Sequence, residues 1–195
     1  MTTLLRSAVL CATLFLSTPA LAAEVGQPAP AFNLKDEVGA SHALDQYRGK
    51  IVILEWTNPE CPFVQRHYGG KTMQRTLASF AGKKVVWLAV DSTSHNTPVK
   101  SKAWKAEQGF PYPVLQDQSG AVGQAYGAKT TPHMFVIDEK GVLRYAGGID
   151  DDPRGRSATP TNYVEKAVNA LVTGKAVSPS TSDPYGCSVK YGKSS

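Results

Sequence analysis

The sequence predicts an α/β fold, a central mixed β-sheet flanked by helices in a single domain, on three observations. Two continuous apolar runs, Ile51-Val52-Ile53-Leu54 and Val85-Val86-Trp87-Leu88-Ala89-Val90, have the composition of strands covered on both faces. Between them Met73, Leu77 and Phe80 recur at helical spacing, so the two runs are expected to lie parallel, joined by a helical crossover. Farther on, Met134-Phe135-Val136-Ile137 and Val142-Leu143-Arg144-Tyr145-Ala146 flank Asp138-Glu139-Lys140-Gly141, the spacing of an antiparallel hairpin.

The remaining elements follow in order. Val25 to Leu34 reads as an entry turn and short strand, followed by turn signals at Gly39 and at Arg48-Gly49-Lys50, which suits an appended hairpin. The helix after the first central strand, over Phe63 to Ala81, is expected to break at Gly69-Gly70, since two adjacent glycines cost about 2 kcal/mol of helix propensity against alanine. Thr97 and Pro98 have the N-cap and first-turn identities of a second helix that includes Val99, Ala103 and Ala106 and closes at Gly109. Ser119 to Tyr126 suggests a shorter helix. Tyr163, Val164, Ala167, Val168 and Leu171 mark a final amphipathic helix ending near Gly174. The segment Ser178-Pro179-Ser180-Thr181-Ser182-Asp183-Pro184 has no periodicity and reads as a tail.

Residues 1–22 have the plan of a secretory signal: Arg6 in a basic n-region, an apolar core from Ala8 to Leu16, and a small-x-small triplet at Ala20-Leu21-Ala22. Residues 23–174 are then expected to form the domain and 175–195 the C-terminal tail, in a periplasmic or secreted protein with no membrane span after cleavage. Leu10 stands before Cys11 where a lipoprotein anchor would need a small residue. Cleavage would remove Cys11, leaving Cys61 and Cys187, an even count that suits an oxidising compartment and allows a disulfide. The formal charge of +5 is carried by lysines interspersed with acids rather than a basic stripe, so no nucleic-acid partner is expected.

The chemistry centres on Cys61, where the apolar strand breaks through Asn58-Pro59-Glu60 into a helix. The partial positive charge of a helix N-terminus favours the thiolate, the form that attacks disulfides and peroxides. A C-x-x-C motif would place a second cysteine at position 64, and the chain has Val64 there. His42, His67, His95 and His133 show no tight ligand spacing and read as packing or solvated side chains. Asp150-Asp151-Asp152 lacks the glycine and terminal glutamate of a calcium loop and reads as a solvated acidic turn. No metal and no cofactor is expected.

Four segments together resemble the secreted, peroxiredoxin-like branch of the thioredoxin-like superfamily, the redoxin and alkyl hydroperoxide reductase-related proteins. They are Val25-Gly26-Gln27-Pro28-Ala29-Pro30-Ala31-Phe32, Asn58-Pro59-Glu60-Cys61-Pro62-Phe63-Val64, Thr130-Thr131-Pro132-His133-Met134-Phe135-Val136-Ile137-Asp138 and Tyr185-Gly186-Cys187-Ser188-Val189-Lys190. The resemblance implies a thioredoxin-like fold and an exported thiol-based oxidoreductase, either peroxidatic or exchanging disulfides. Cys61 would be the attacking thiolate and Cys187 the resolving cysteine. Glu55 would be a buried acid exchanging protons with the thiols, its pKa raised by the apolar strand. Pro132 would be a cis proline beside Cys61, with Thr131 offering backbone groups to the substrate and Trp56 and Pro62 lining the same surface. A peroxide or a protein disulfide would be the substrate and a thiol the reductant.

The chain departs from the peroxiredoxin pattern in having Asn58 three residues and Leu54 seven residues before Cys61. No arginine can be assigned to the site from the sequence, although Arg66, Arg75 and Arg144 are available. The stretch from Thr173 to Cys187, fully extended, spans about 45 Å against about 40 Å for the whole domain, so the tail can reach Cys61. A rival reading makes Cys61–Cys187 a permanent staple in a noncatalytic binding module, stabilising it by about 4 to 5 kcal/mol.

Overall fold

The structure is a computed structural model that describes residues 22–192. The expected signal segment, Arg6 and Cys11 included, lies outside the described residues apart from Ala22.

A hairpin of β1 (Asn33–Lys35) and β2 (Ser41–Ala43) opens the domain, followed by a 3-10 turn over Leu44–Tyr47. Then come β3 (Ile51–Trp56), α1 (Pro62–Gly69), α2 (Thr72–Ala78) and β4 (Val85–Asp91). After these run α3 (Pro98–Gln108), β5 (Val114–Gln116), α4 (Ala121–Tyr126) and β6 (Thr130–Thr131). The hairpin of β7 (His133–Ile137) and β8 (Leu143–Gly147), α5 (Tyr163–Val172) and β9 (Cys187–Ser188) follow, the last elements among the described residues. The main sheet has seven strands in the order β2-β1-β5-β4-β3-β7-β8. β4 lies parallel to β3 and β5, whereas β7 is antiparallel to β3, so the sheet is mixed as the sequence predicts.

Side chains alternate across β3 and sort the core into two layers. Ile51 and Ile53 pack with Val64, Tyr68 and Met73 of α1 and α2, Trp104 of α3 and Val164 and Val168 of α5. Val52, Leu54 and Trp56 point the other way, to Leu44, Tyr126 of α4, Phe135 and Leu143. The predicted break between α1 and α2 falls at Gly70 and Lys71, with Lys71 in the left-handed region at φ 56°. Thr97 caps α3 through its hydroxyl, which accepts from the Lys100 N–H at 3.3 Å. The apolar residues expected to define α3 do not form its buried face. Val99 is 77% exposed, and the helix is anchored by Ser101 and Trp104 instead.

The tail is ordered by contacts made far away in sequence. Ala146 N–H donates to Ser180 O at 3.2 Å and Ser182 N–H to Ala146 O at 3.3 Å, so the tail covers part of the exposed edge of β8. The Ser182 hydroxyl accepts from Gly148 N–H at 3.0 Å and lies 2.6 Å from the Tyr145 hydroxyl. Farther along, β9 pairs antiparallel with β6, Thr131 opposite Cys187 and Thr130 opposite Ser188. Beyond it Tyr191 donates to Ala128 O at 2.8 Å.

Candidate active site

The turn before α1 is built by Asn58. Its side-chain oxygen accepts from Glu60 N–H at 2.8 Å and its carbonyl accepts from Cys61 N–H at 3.0 Å, which delivers Cys61 to the N-cap of α1 with Pro62 at the first helical position. Cys61 is 1% exposed. Its thiol donates to Thr131 O at 3.0 Å, and its sulfur stands 2.7 Å from the sulfur of Cys187, 126 residues away in the chain. No covalent bond joins the two sulfurs in this structure.

The two sulfurs differ electrostatically. Burial pushes the Cys61 thiol up, but the Cys187 thiol and the Val64 N–H favour the thiolate and bring the net shift below the ordinary value of 9.0. Cys187 is pushed up to about 11, first by burial and then by the hydrogen bond and charge of Cys61. Cys61 is therefore the more acidic of the pair.

The Thr131–Pro132 peptide bond is cis. Thr131 is 1% exposed and its hydroxyl has no hydrogen-bond partner. The edge that the sequence reading reserves for a substrate, the Thr131 backbone, is paired with Cys187 of the tail. Gly186 permits that approach. It adopts φ 141°, and a Cβ at this position would lie 2.0 Å from Thr131 O and 2.7 Å from Thr131 C. Pro62 is exposed next to Cys61.

Glu55 is fully buried on the α1 side of β3, opposite Met134, which packs in the same layer as Cys61. One carboxylate oxygen accepts from Tyr68 hydroxyl at 2.9 Å and Trp87 Nε1 at 2.8 Å, while the other has no partner. Burial dominates over these hydrogen bonds and raises its pKa to about 7.

Trp56 is corrected by the structure. It is 0% exposed and lies in the opposite layer, its indole donating to Ser92 Oγ at 3.0 Å and its ring against Tyr126 and Phe135. Strand alternation is the reason: adjacent residues of a strand face opposite sides, so Glu55 and Trp56 cannot serve one pocket. Asp150 is corrected too, being buried at 6% exposure rather than solvated.

The arginines singled out in the sequence are occupied elsewhere. Arg66 donates to Pro153 O at 2.9 Å and Asp152 O at 3.1 Å, Arg75 donates to Gly70 O, and Arg144 pairs with Asp138 at 2.7 Å. None of these contacts involves Cys61. Sequence reasoning missed a cluster that holds the tail, in which the Tyr185 hydroxyl donates to Asp150 Oδ1 and lies 3.0 Å from His67 Nε2. The available signal was the aromatic residue and glycine immediately before Cys187.

A mixed sheet of this topology with a helix-entry cysteine beside a cis proline defines a thiol-dependent oxidoreductase of thioredoxin-like fold. The match of a family model to residues 25–146 makes the assignment specific: the chain belongs to the AhpC/TSA family. The thiol-disulfide oxidoreductase ResA of Geobacillus thermodenitrificans is 31% identical over 127 residues, 65% of this chain and 71% of its own. A Coxiella burnetii protein described as a peroxiredoxin is 28% identical over 130 residues, 66% of this chain and 83% of its own. Among solved structures, a hypothetical protein from Sinorhizobium meliloti superposes with a TM-score of 0.79 at 26% identity, covering 89% of this chain and 98% of that one. The family match ends within β8, so Cys187 and its whole segment lie beyond it.

Proposed function

We propose that this protein is an exported two-cysteine oxidoreductase in which the Cys61 thiolate attacks the oxidant and Cys187 resolves the product. The observation that carries this reading is the 2.7 Å approach of the two sulfurs, with Cys61 the more acidic. With a hydroperoxide, Cys61–S⁻ takes the distal oxygen, giving Cys61–SOH and an alkoxide or hydroxide that picks up a proton. The Cys187 thiol then displaces water to form the Cys61–Cys187 disulfide. With a disulfide substrate, Cys61–S⁻ forms a mixed disulfide and expels one thiolate, and Cys187 expels the other, ending in the same internal bond. Either way the protein loses two electrons, which two equivalents of an external thiol restore.

The contacts made by Arg66, Arg75 and Arg144 favour disulfide exchange over peroxide reduction, because the hydrogen bonds of these guanidinium groups go to groups other than Cys61. Glu55, with its pKa near 7, suits proton exchange with the pair at neutral pH. Thr131, Pro132 and Pro62 supply the surface on which the substrate sulfur or oxygen meets Cys61. Export rests on the pattern of residues 1–22, and N-terminal sequencing of the purified native protein is expected to begin at Ala23.

The test compares wild type with Cys61→Ser and Cys187→Ser for turnover of a small disulfide and of hydrogen peroxide. Cys61→Ser is expected to fall to background with both. Cys187→Ser is expected to react once and stall, with Cys61 held as a mixed disulfide or a trappable sulfenic acid. Turnover surviving in Cys61→Ser sinks the proposal. A Cys61–Cys187 bond that resists every thiol reductant in the native protein would establish the staple instead.

A further inference from the structure

Resolution by Cys187 requires a tail of irregular sequence to hold one sulfur against another, and the question is what fixes it there. The antiparallel pairing of β9 with β6 is only two residues long. The residues before it are tied more firmly. The Tyr185 hydroxyl donates to Asp150 Oδ1 and lies 3.0 Å from His67 Nε2. Asp150 and His67 are 6% and 4% exposed, so both partners are set in the body of the domain. The ring packs against Phe63 at 6.1 Å between centroids and under the Arg66 guanidinium at 5.8 Å. Phe63, Arg66 and His67 all belong to α1, the helix that begins at Cys61.

We propose, building on the two-cysteine reading, that Tyr185 is the positioning residue that sets how much of the time Cys187 stands at Cys61. Its hydroxyl clasps the tail to α1 and Asp150, two residues from the resolving sulfur. Undocking the tail exposes Cys61, and docking it covers Cys61 and presents Cys187. One docking equilibrium thus governs two measurable quantities in opposite senses. Access of an outside reagent to Cys61 depends on the undocked fraction, while the ease of forming the internal disulfide depends on the docked fraction. The ratio of these fractions is the docking constant itself, so their quotient reports on Tyr185 whatever the resting position of the tail.

The test uses the full chain and Tyr185→Phe, which keeps the ring and removes the hydroxyl. Two quantities are measured for each. The first is the equilibrium constant for disulfide formation in glutathione buffers, where protein dithiol and glutathione disulfide convert to protein disulfide and two glutathione molecules. The second is the rate at which iodoacetamide labels Cys61 in the reduced protein, read by peptide mapping. Losing a hydrogen bond to a buried charged group is expected to lower the quotient of the first over the second about tenfold. A role confined to stabilising the domain would lower the unfolding midpoint of the reduced protein and leave the quotient unchanged, and that result overturns the proposal. If wild type forms no Cys61–Cys187 disulfide at any glutathione ratio, the two-cysteine reading fails and this inference fails with it. A disulfide that forms normally with an unmoved quotient sinks Tyr185 alone.

Discussion

Gly186→Ala is expected to separate Cys187 from Cys61 while leaving the domain folded. The added Cβ would stand 2.0 Å from the Thr131 carbonyl oxygen and 3.2 Å from Pro132 N, and these are backbone atoms that cannot swing aside. The residue would also have to hold φ 141°, a region L side chains rarely adopt. The clash and the unfavourable φ together cost about 3 kcal/mol or more, enough to lower the docking constant about a hundredfold. Because the tail follows α5 and the main sheet closes without it, the loss falls on tail docking rather than on global stability. The expected readout is a disulfide that glutathione reduces far more easily than in wild type, with far-UV circular dichroism and the unfolding midpoint of the reduced domain little changed. If Gly186→Ala forms the disulfide with wild-type stability, β9 does not dock as described.

Glu55→Gln is expected to stabilise the protein at alkaline pH and to change little in acid. The folded chain holds the Glu55 proton up to about pH 7, whereas an unfolded chain releases it near the ordinary value of 4.5. Between these values the folded state binds more protons, so stability falls as pH rises through the window and stays reduced above it. The full shift corresponds to about 3 kcal/mol. Glutamine keeps an acceptor for Tyr68 and Trp87 and never ionises. Denaturant unfolding of both proteins at pH 4 and pH 8 checks this, with the variant more stable by about 3 kcal/mol at pH 8 and nearly equal to wild type at pH 4. Equal stabilities at both pH values would mean that Glu55 does not bury its charge. At neutral pH the same variant is expected to turn over more slowly, through loss of the proton acceptor proposed for the cysteine pair.

How far the sequence revealed this molecule depends on how local the information was. The strands at Ile51 and Val85, the break at Gly69-Gly70 and the hairpin around Asp138-Glu139-Lys140-Gly141 were legible because periodicity and turn chemistry act over a few residues. β5 was missed because Val114–Gln116 is too short to show a period and is defined by its parallel neighbour. The tail was read as aperiodic, and it is: its order comes from partners such as Ala146, Thr131 and Lys129, which no local pattern encodes. At the site, Cys61 and the proximity of Cys187 could be argued from chemistry and reach. The placing of Trp56 contradicted an alternation already visible in the strand, and the clasp of Tyr185 by Asp150 and His67 exists only in three dimensions.

The distance in sequence between the two sulfurs also bears on biosynthesis. Cys61 is made 126 residues before Cys187, so at ordinary ribosomal speeds it waits about 6 to 25 s for its partner to be translated. During that interval the acidic thiol at the start of α1 lacks the strap that later shields it. Any disulfide that Cys61 makes in that interval is with Cys11 or with an outside thiol, and only a chain that has reached Cys187 can resolve it.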